Sequence, residues 1–465
     1  MNSHVVIIGG GISGLAAAHR LSEQQVQVTL LEASHRLGGT IQTEQRDGFL
    51  LERGPDSFIS EKPQAVELAK RLGLESRLVQ TNEQFRRSFI VRDGRLRPVP
   101  EGFQLLAPSR LWPFITSDIF SLAGKARMAA DLLLPRKSTN GTNDESLASF
   151  VRRRLGVEAL DRMAQPMVGG IYTADPETLS LRATLPRFLE MEREHRSLIL
   201  AMLRQGRAQK VGTSGARYSL FLSFDQGMQV LVDVLARQIK ADIRLNTRAV
   251  GLKREGSAWV ITTSDGEELS ADKICIALPA YLAATLLHGR LAEKLRQIKY
   301  ASTATINFAY RRSAIAHPLN GFGFVVPFIE KRSLIACTFS SVKFSGRAPE
   351  GHVLLRAFAG GALQPDIFAL DEAEMTARVE TDLRELLGIN EAPLFVECAK
   401  WERSMPQYEV GHLERVNEIE KLISEIPGLT LAGNAYRGAG IPDCIRSGQT
   451  AAEILATDNT DKIRI

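Results

Sequence analysis

Three glycines and one carboxylate near the N-terminus are spaced to hold a dinucleotide. The run Val5-Val6-Ile7-Ile8 is apolar and largely β-branched, and Gly9-x-Gly11-x-x-Gly14 follows it at once. Glu32 closes a second run, Val26 to Leu31, eighteen residues after Gly14. The first run reads as a buried parallel strand. The glycines then supply a tight turn, a close backbone approach to a pyrophosphate and close helix packing. A helix starting near Ile12 aims free N–H groups at the phosphates. Glu32 stands where a carboxylate can accept hydrogen bonds from ribose hydroxyls and disfavour a 2′-phosphate. Strand, glycines, helix, strand and acid in register are a far narrower signal than the glycines alone.

Two further glycine clusters could serve the same ligand. In Ala33-Ser34-His35-Arg36-Leu37-Gly38-Gly39-Thr40 the paired glycines permit close backbone contact, and Arg36 brings a cation near the pyrophosphate. Near the C-terminus, Leu429 to Ala432 reads as a strand ending at Gly433, followed by a loop and a helix with Pro442 in its first turn. Free amides of that helix can face an anion. Between these clusters, Gly48 to Phe58 reads as a strand ending in the turn Gly54-Pro55-Asp56-Ser57.

The elements that must position these residues follow from periodicity and punctuation. Residues 64–73 read as a helix stopped by Gly73, and Asp93-Gly94 as the turn of a hairpin between 89–91 and 96–100. From about 102 to 210 the pattern is helical and Arg-rich. Within it, polar residues 136–146 predict an exposed loop ending in a helix cap near Asp144 or Ser146. Strand grammar returns near 211, and an amphipathic helix runs to about 240. Ile243-Arg244-Leu245 and Val250 are expected to begin a strand pair continued by 258–263. Residues 271–278 predict a buried strand returning to the dinucleotide sheet. Residues 301–360 predict a separate antiparallel sheet over 303–310, 322–328, 333–339 and 352–358, followed by a helix at 371–387 stopped by Gly388.

Composition narrows the classes. A chain of 465 residues has room for two or three domains, and 44% hydrophobic with 24% charged residues is a soluble globular balance. The net charge of +5 is dispersed, which argues against nucleic acid as a partner. The first strand begins within five residues, leaving no room for a signal peptide, and no apolar run approaches bilayer length. The expected location is therefore cytoplasmic. Cys275, Cys337, Cys398 and Cys444 lack metal spacing, as do the histidines, so buried thiols and no metal are expected. Trp112, Phe114 and Ile115, with Leu105 and Leu106, stand near Arg110, Lys125, Arg127 and Arg136. That combination suits either an anionic membrane surface or a helical subdomain packing its apolar residues inward.

The Arg36-x-Gly38-Gly39 element resembles that of the large FAD family containing amine oxidases, phytoene desaturases and porphyrinogen oxidases. GGGISG at 9–14, RLGGTIQT at 36–43, ERGPDSF at 52–58, the segment 169–188 and GNAYRGAGIPDCIRSG at 433–448 together resemble the porphyrinogen oxidases of haem biosynthesis. Thr173-Ala174 stands where many of those relatives have Ala-Gly. The resemblance implies an α/β fold: a Rossmann-type FAD-binding domain (1–84, 211–280 and 427–465), an α+β substrate domain (85–101 and 281–426) and a helical subdomain (102–210). It implies FAD as cofactor, lined by Gly9, Gly11, Ile12, Ser13, Gly14, Glu32, Ala33, Arg36, Gly39, Thr40, Gly54, Pro55, Asp56, Ser57, Val250, Gly433 and Ile441. Val250 would offer backbone groups to the adenine, and the start of the last helix would lie beside flavin O2 and N1.

The implied reaction is oxygen-dependent oxidation of a porphyrinogen, coproporphyrinogen III before protoporphyrinogen IX, with release of hydrogen peroxide. Arg87 is the first candidate for a substrate propionate, because the planar guanidinium pairs a carboxylate bidentately; Arg86, Arg95 and Arg97 rank behind it. No general base stands out. The resemblance also allows peripheral contact with the inner membrane face and transient contact with the next haem-pathway enzyme. The competing readings are a flavin amine oxidase or carotenoid desaturase-like enzyme, and a non-enzymatic binding protein like the GDP-dissociation inhibitors.

Overall fold

A computed structural model describes residues 3–137, 144–208 and 221–457. Its first layer is a five-stranded, wholly parallel sheet in the order Asp242–Arg244, Gln27–Leu31, His4–Ile8, Lys273–Ile276, Leu429–Leu431. Val5 to Ile8 are 3% exposed or less because both faces of this sheet are covered. Side chains alternate between the faces. Val5 and Ile7 pack under the helices Ile12–Glu23, Gln229–Gln238 and Ile441–Ala456. Val6 and Ile8 pack against the antiparallel sheet Ala249–Glu255, Ala258–Thr263, Glu268–Ala271 and the helices around 280–296.

The second layer is a seven-stranded sheet running Phe395–Pro406, Tyr300–Arg311, His352–Gly360, Ala336–Phe339, Gly323–Val325, Phe89–Arg92, Arg95–Pro98. It is antiparallel except where Gly323–Val325 runs parallel to Phe89–Arg92. The helix Glu372–Leu387 covers it with Met375, Val379, Leu383 and Leu387. Asp371 caps that helix through the Glu374 amide, and Gly388 ends it at φ +64°.

The region read as helical from 102 has its own core, but opens with a small hairpin, Phe103–Gln104 and Ala107–Pro108, before its helices begin at Leu111. Ser146 caps the helix Leu147–Arg154 through the Ser149 amide, whereas residues 138–143 of the expected loop lie outside the described part. The apolar group of this region is divided. Leu105, Leu106 and Phe114 are buried, while Trp112 (74% exposed) and Ile115 (54%) face outward. Among the described residues no helix is long and apolar enough to cross a membrane.

The expected pairing of 243–245 with the strand at Val250 does not form. Asp242–Arg244 instead extends the parallel sheet beside Gln27–Leu31, and Ala249–Glu255 pairs only with Ala258–Thr263. A three-residue strand, Asp242-Ile243-Arg244, carries no mark of which sheet it joins; the crossover from the helix at 229–238 delivers it to the open edge. The expected strand over 333–339 is also shorter, Ala336–Phe339.

Candidate active site

The three N-terminal glycines do different things. Gly9 lies at φ +111°, and a Cβ there would come 2.5 Å from the Ala277 carbonyl oxygen. A Cβ on Gly14 would overlap the Gly9 carbonyl, so its absence lets helix and strand touch. Gly11 has an ordinary backbone, φ −69°, and open space where its Cβ would stand. The helix that follows has no side-chain cap and no acid in its first turn; its first intrahelical bond is Leu15 N–H to Gly11 C=O. The amides of Ile12, Ser13 and Gly14 are thus left to an external acceptor, beside the one glycine whose open side admits a ligand.

The second glycine cluster is laid against the first. Gly38 N–H donates to Gly10 C=O at 2.8 Å, and a Cβ on Gly39 would sit 3.3 Å from Gly11 Cα. Glu32 Oε2 accepts from the Gly10 amide at 2.7 Å and Oε1 from the Ser34 amide at 2.8 Å. Each oxygen keeps a lone pair for a hydroxyl. Ala33, Gly39 and Thr40 are exposed along the same rim. Arg36 is turned differently from the expectation: its guanidinium donates to the carbonyls of Leu37, Gly39 and Ile41. It therefore braces its own loop, and burial lowers its pKa. Val250 is half exposed at a register shift, where the ladder passes from the Ala249–Thr263 pair directly to Gly251–Thr262. A bulged residue is left out of the pairing, so its backbone groups are available to a ligand.

Residues 52–57 are held from the large sheet. A Cβ on Gly54 would overlap the Thr40 carbonyl oxygen, which fixes this segment against the second glycine loop. Asn307 Nδ2 donates to Glu52 C=O at 3.2 Å, Trp401 Nε1 (2.8 Å) and Thr305 Oγ1 to Arg53 C=O, and Arg356 to Gly54 C=O. Asp56 accepts from Lys343 Nζ at 2.8 Å and from the Ser57 hydroxyl at 2.7 Å, with Arg356 at 3.9 Å; Pro55 is partly buried beside it. Burial opposes ionisation of Asp56, but the Lys343 and Arg356 charges hold its carboxyl well below the usual range. Burial pushes Glu52 up to about 7 even though Thr43 Oγ1 and the Met228 amide donate to it. Sequence reasoning missed Lys343 and Arg356. The one signal was Arg356 standing inside the apolar run Val353 to Ala359.

The third cluster closes the cleft. Gly433 lies at φ +142°, its amide donating to Ser447 Oγ at 3.0 Å. The last helix starts at Ile441 with Gly440 as an N-cap that has no side chain to offer. Gly448 meets the first helix: a Cβ there would overlap the Ser13 carbonyl, so the two helices that begin at the cleft cross in contact. Asp443, in the first turn, is paired with Lys62 and Arg446.

The substrate-side residues lie elsewhere. Arg87 is exposed just before Phe89–Arg92, its carbonyl accepting from Phe322 N–H at 2.8 Å. The segment 169–188 begins against the large sheet at Gly169 to Ala174 and continues into the core of the helical region with Leu179, Leu181 and Phe188. Thr173, at φ +49°, accepts from the Ala362 amide at 2.8 Å; Pro166, Gly169, Thr173, Val326 and Leu363 line a small apolar recess there. Open Gly11, two uncapped helix starts, the Glu32 carboxylate and a bulged strand form a set of donors and acceptors that fits a flavin dinucleotide.

A family model described as flavin containing amine oxidoreductase matches residues 12–456. The chain is 37% identical to the coproporphyrinogen III oxidase of Bacillus subtilis over 98% of each chain. It is 36% identical to that of Propionibacterium freudenreichii, over 97% of this chain and 90% of the relative. A crystal structure from an Exiguobacterium species described as a protoporphyrinogen oxidase superposes with a TM-score of 0.88 at 31% identity, covering 98% of this chain and 99% of its own.

Proposed function

The chain belongs to the flavin-containing amine oxidoreductase family, and from that premise we propose that it oxidises coproporphyrinogen III to the porphyrin in haem biosynthesis. It is an FAD-dependent oxidoreductase. The observation that carries the substrate reading is the extent of the likeness: the matches at 36–37% overall identity span 97–98% of this chain, so they cover the helical region and the large sheet as well as the dinucleotide half. A likeness confined to the glycine turns would favour an amine oxidase equally.

In this reading Gly11, Gly39 and the amides of Ile12, Ser13 and Gly14 receive the pyrophosphate, with Gly9 shaping the turn. Glu32 takes the ribose and Val250 the adenine, with Ala33 and Thr40 along the rim. The segment Gly54 to Ser57, Gly433 and Ile441 border the flavin ring, and Arg36 acts by holding its loop. When bound, FAD supplies the hydride acceptor for the saturated meso carbons and passes the electrons to O2, releasing hydrogen peroxide. The protein's part is to orient an apolar macrocycle and meet its propionates. The start of the 169–188 segment, against the large sheet, supplies the apolar wall, and exposed Arg87, just before Phe89–Arg92, is the candidate carboxylate partner. No side chain is assigned as a base.

Anaerobic mixing of the holoenzyme with coproporphyrinogen III and, separately, protoporphyrinogen IX tests the reading by the rate of flavin bleaching. Faster reduction by the tetracarboxylate is expected; faster reduction by the dicarboxylate reverses the substrate order, and reduction by neither removes the reading.

We also propose a weak, salt-sensitive peripheral contact with anionic membrane through Trp112 and Ile115, joined by exposed Leu122 and flanked by Arg110 and Lys125. Liposome sedimentation at low and high salt checks it; retention that only detergent releases would mean a much larger inserted face. Transient delivery of product to the next haem-pathway enzyme belongs to the same proposal.

A further inference from the structure

The loop 433–440, between the strand Leu429–Leu431 and the last helix, has no regular structure of its own and no side-chain cap. It is braced from outside. Tyr408, 2% exposed, donates its hydroxyl to Asn434 C=O and accepts from the Gly438 amide at 3.0 Å. His412, fully buried, stacks on the Tyr408 ring with centroids 4.0 Å apart and planes 13° apart. Its Nε2 lies 2.8 Å from Tyr436 C=O. A carbonyl only accepts, so Nε2 carries the proton; Nδ1 is buried without a partner, and burial lowers the pKa to about 4. Two side chains thus grip residues 434, 436 and 438 in succession.

Tyr408 is also tied to the helical region. Its carbonyl accepts from Ser180 N–H at 2.7 Å, Val410 N–H donates to Thr178 C=O at 2.9 Å, and Leu179 bridges Glu409. Gln407 N–H donates to Lys299 C=O at 2.8 Å, next to the large sheet. One short segment therefore connects the 169–188 wall, the large sheet and the loop that sets the last helix.

We propose that Tyr408 and His412 are positioning residues for the flavin: they hold the uncapped start of the last helix where its free amides stabilise the negative charge of the reduced cofactor. The inference rests on the flavin placement above and not on which porphyrinogen is oxidised. Releasing the loop lets the amides drift, so the reduced form loses more binding than the oxidised form and the midpoint potential falls.

Tyr408→Phe keeps the ring stack and removes only the hydroxyl. The purified holoenzyme is expected to retain its flavin. Its relative affinity for reduced over oxidised flavin should fall about tenfold, which is about 30 mV for a two-electron couple. The kcat should fall by about tenfold with KM changed less than about twofold. His412→Phe, which keeps the stack and removes only the bond to Tyr436, should move both readouts the same way, while His412→Gln, which keeps an N–H donor, should restore them toward wild type. A wild-type potential in both Phe variants overturns the inference, as does a rise in KM with kcat unchanged, which would place Tyr408 on substrate. Potential is titrated without porphyrinogen, so a wrong substrate assignment leaves this measurement standing.

Discussion

The starts of the two helices that cross at Ser13 and Gly448 are built differently. At 9–14 the turn is shaped by its own glycines: Gly9 takes a backbone that other residues resist, Gly14 lets helix and strand touch, and Gly11 stays open. At 433–441 glycines contribute too, Gly433 and Gly438 both lying at positive φ, but the loop is also gripped from elsewhere in the chain by Tyr408, His412 and the Lys62–Asp443 pair. The 52–57 segment follows the second pattern, its carbonyls capped by Asn307, Trp401 and Arg356. A turn made by local sterics tolerates loss of its distant neighbours. A turn made by distant donors does not.

The largest effects belong to the first turn and separate its glycines. Gly14→Val drives a side chain into the Gly9 carbonyl, and a loss of more than about 4 kcal/mol is expected, read as failure to recover soluble folded protein. The Cβ of Gly11→Val meets no protein atom within 4 Å, so stability should stay within about 1 kcal/mol by urea denaturation of the apoprotein while the visible flavin spectrum and all activity disappear. Full flavin occupancy in that variant would remove Gly11 from the pyrophosphate site.

Next comes the seam between the 52–57 segment and the large sheet. Arg356→Met takes a buried guanidinium from Gly54 C=O and from beside Asp56; a cost of about 3 kcal/mol in holoenzyme stability is expected. A loss as small as that of a surface arginine would show the segment to be locally shaped after all.

Glu52 sharpens the same contrast through pH. Its folded pKa, about 7, lies above the ordinary carboxylate value, so between about pH 4.5 and 7 the folded protein binds more protons than the unfolded chain. Its contribution is fully present below that window and declines as pH rises through it, by up to about 3 kcal/mol. Glu52→Gln should flatten that part of the stability–pH curve, and an unchanged slope would assign it to other groups. The smallest expected effect is at the thiols. All four cysteines are buried, and burial pushes Cys275, Cys398 and Cys444 up to about 12. Native enzyme should give no thiol to a disulfide reagent within minutes, whereas denaturant should release all four.

Much of the dinucleotide half was legible because its signals are local. The strand at 4–8, the helix from Ile12, the return strand near 273–276 and the helix from Ile441 all stand where apolar runs, glycines and proline placed them. The partner of the strand at 242–244 is not legible, because a three-residue segment with one apolar side chain does not carry its partner's identity. Arg36 was legible as a cation beside a glycine loop, but its choice among phosphate and carbonyl acceptors depends on how that loop folds back on it.

The sequence alone determined that the chain has a glycine turn between a buried strand and a helix, which family it belongs to and that its cofactor is FAD, since glycine sterics, strand periodicity and motif spacing act over a few residues. Only the tertiary structure decided that Gly11 and not Gly9 or Gly14 faces open space, that Val250 sits on a bulge, that Lys343 and Arg356 hold 52–57, and that Tyr408 and His412 grip the loop before the last helix. Each of these depends on which distant backbone donors and acceptors come within hydrogen-bonding reach, and that is settled when the sheets and helices pack together.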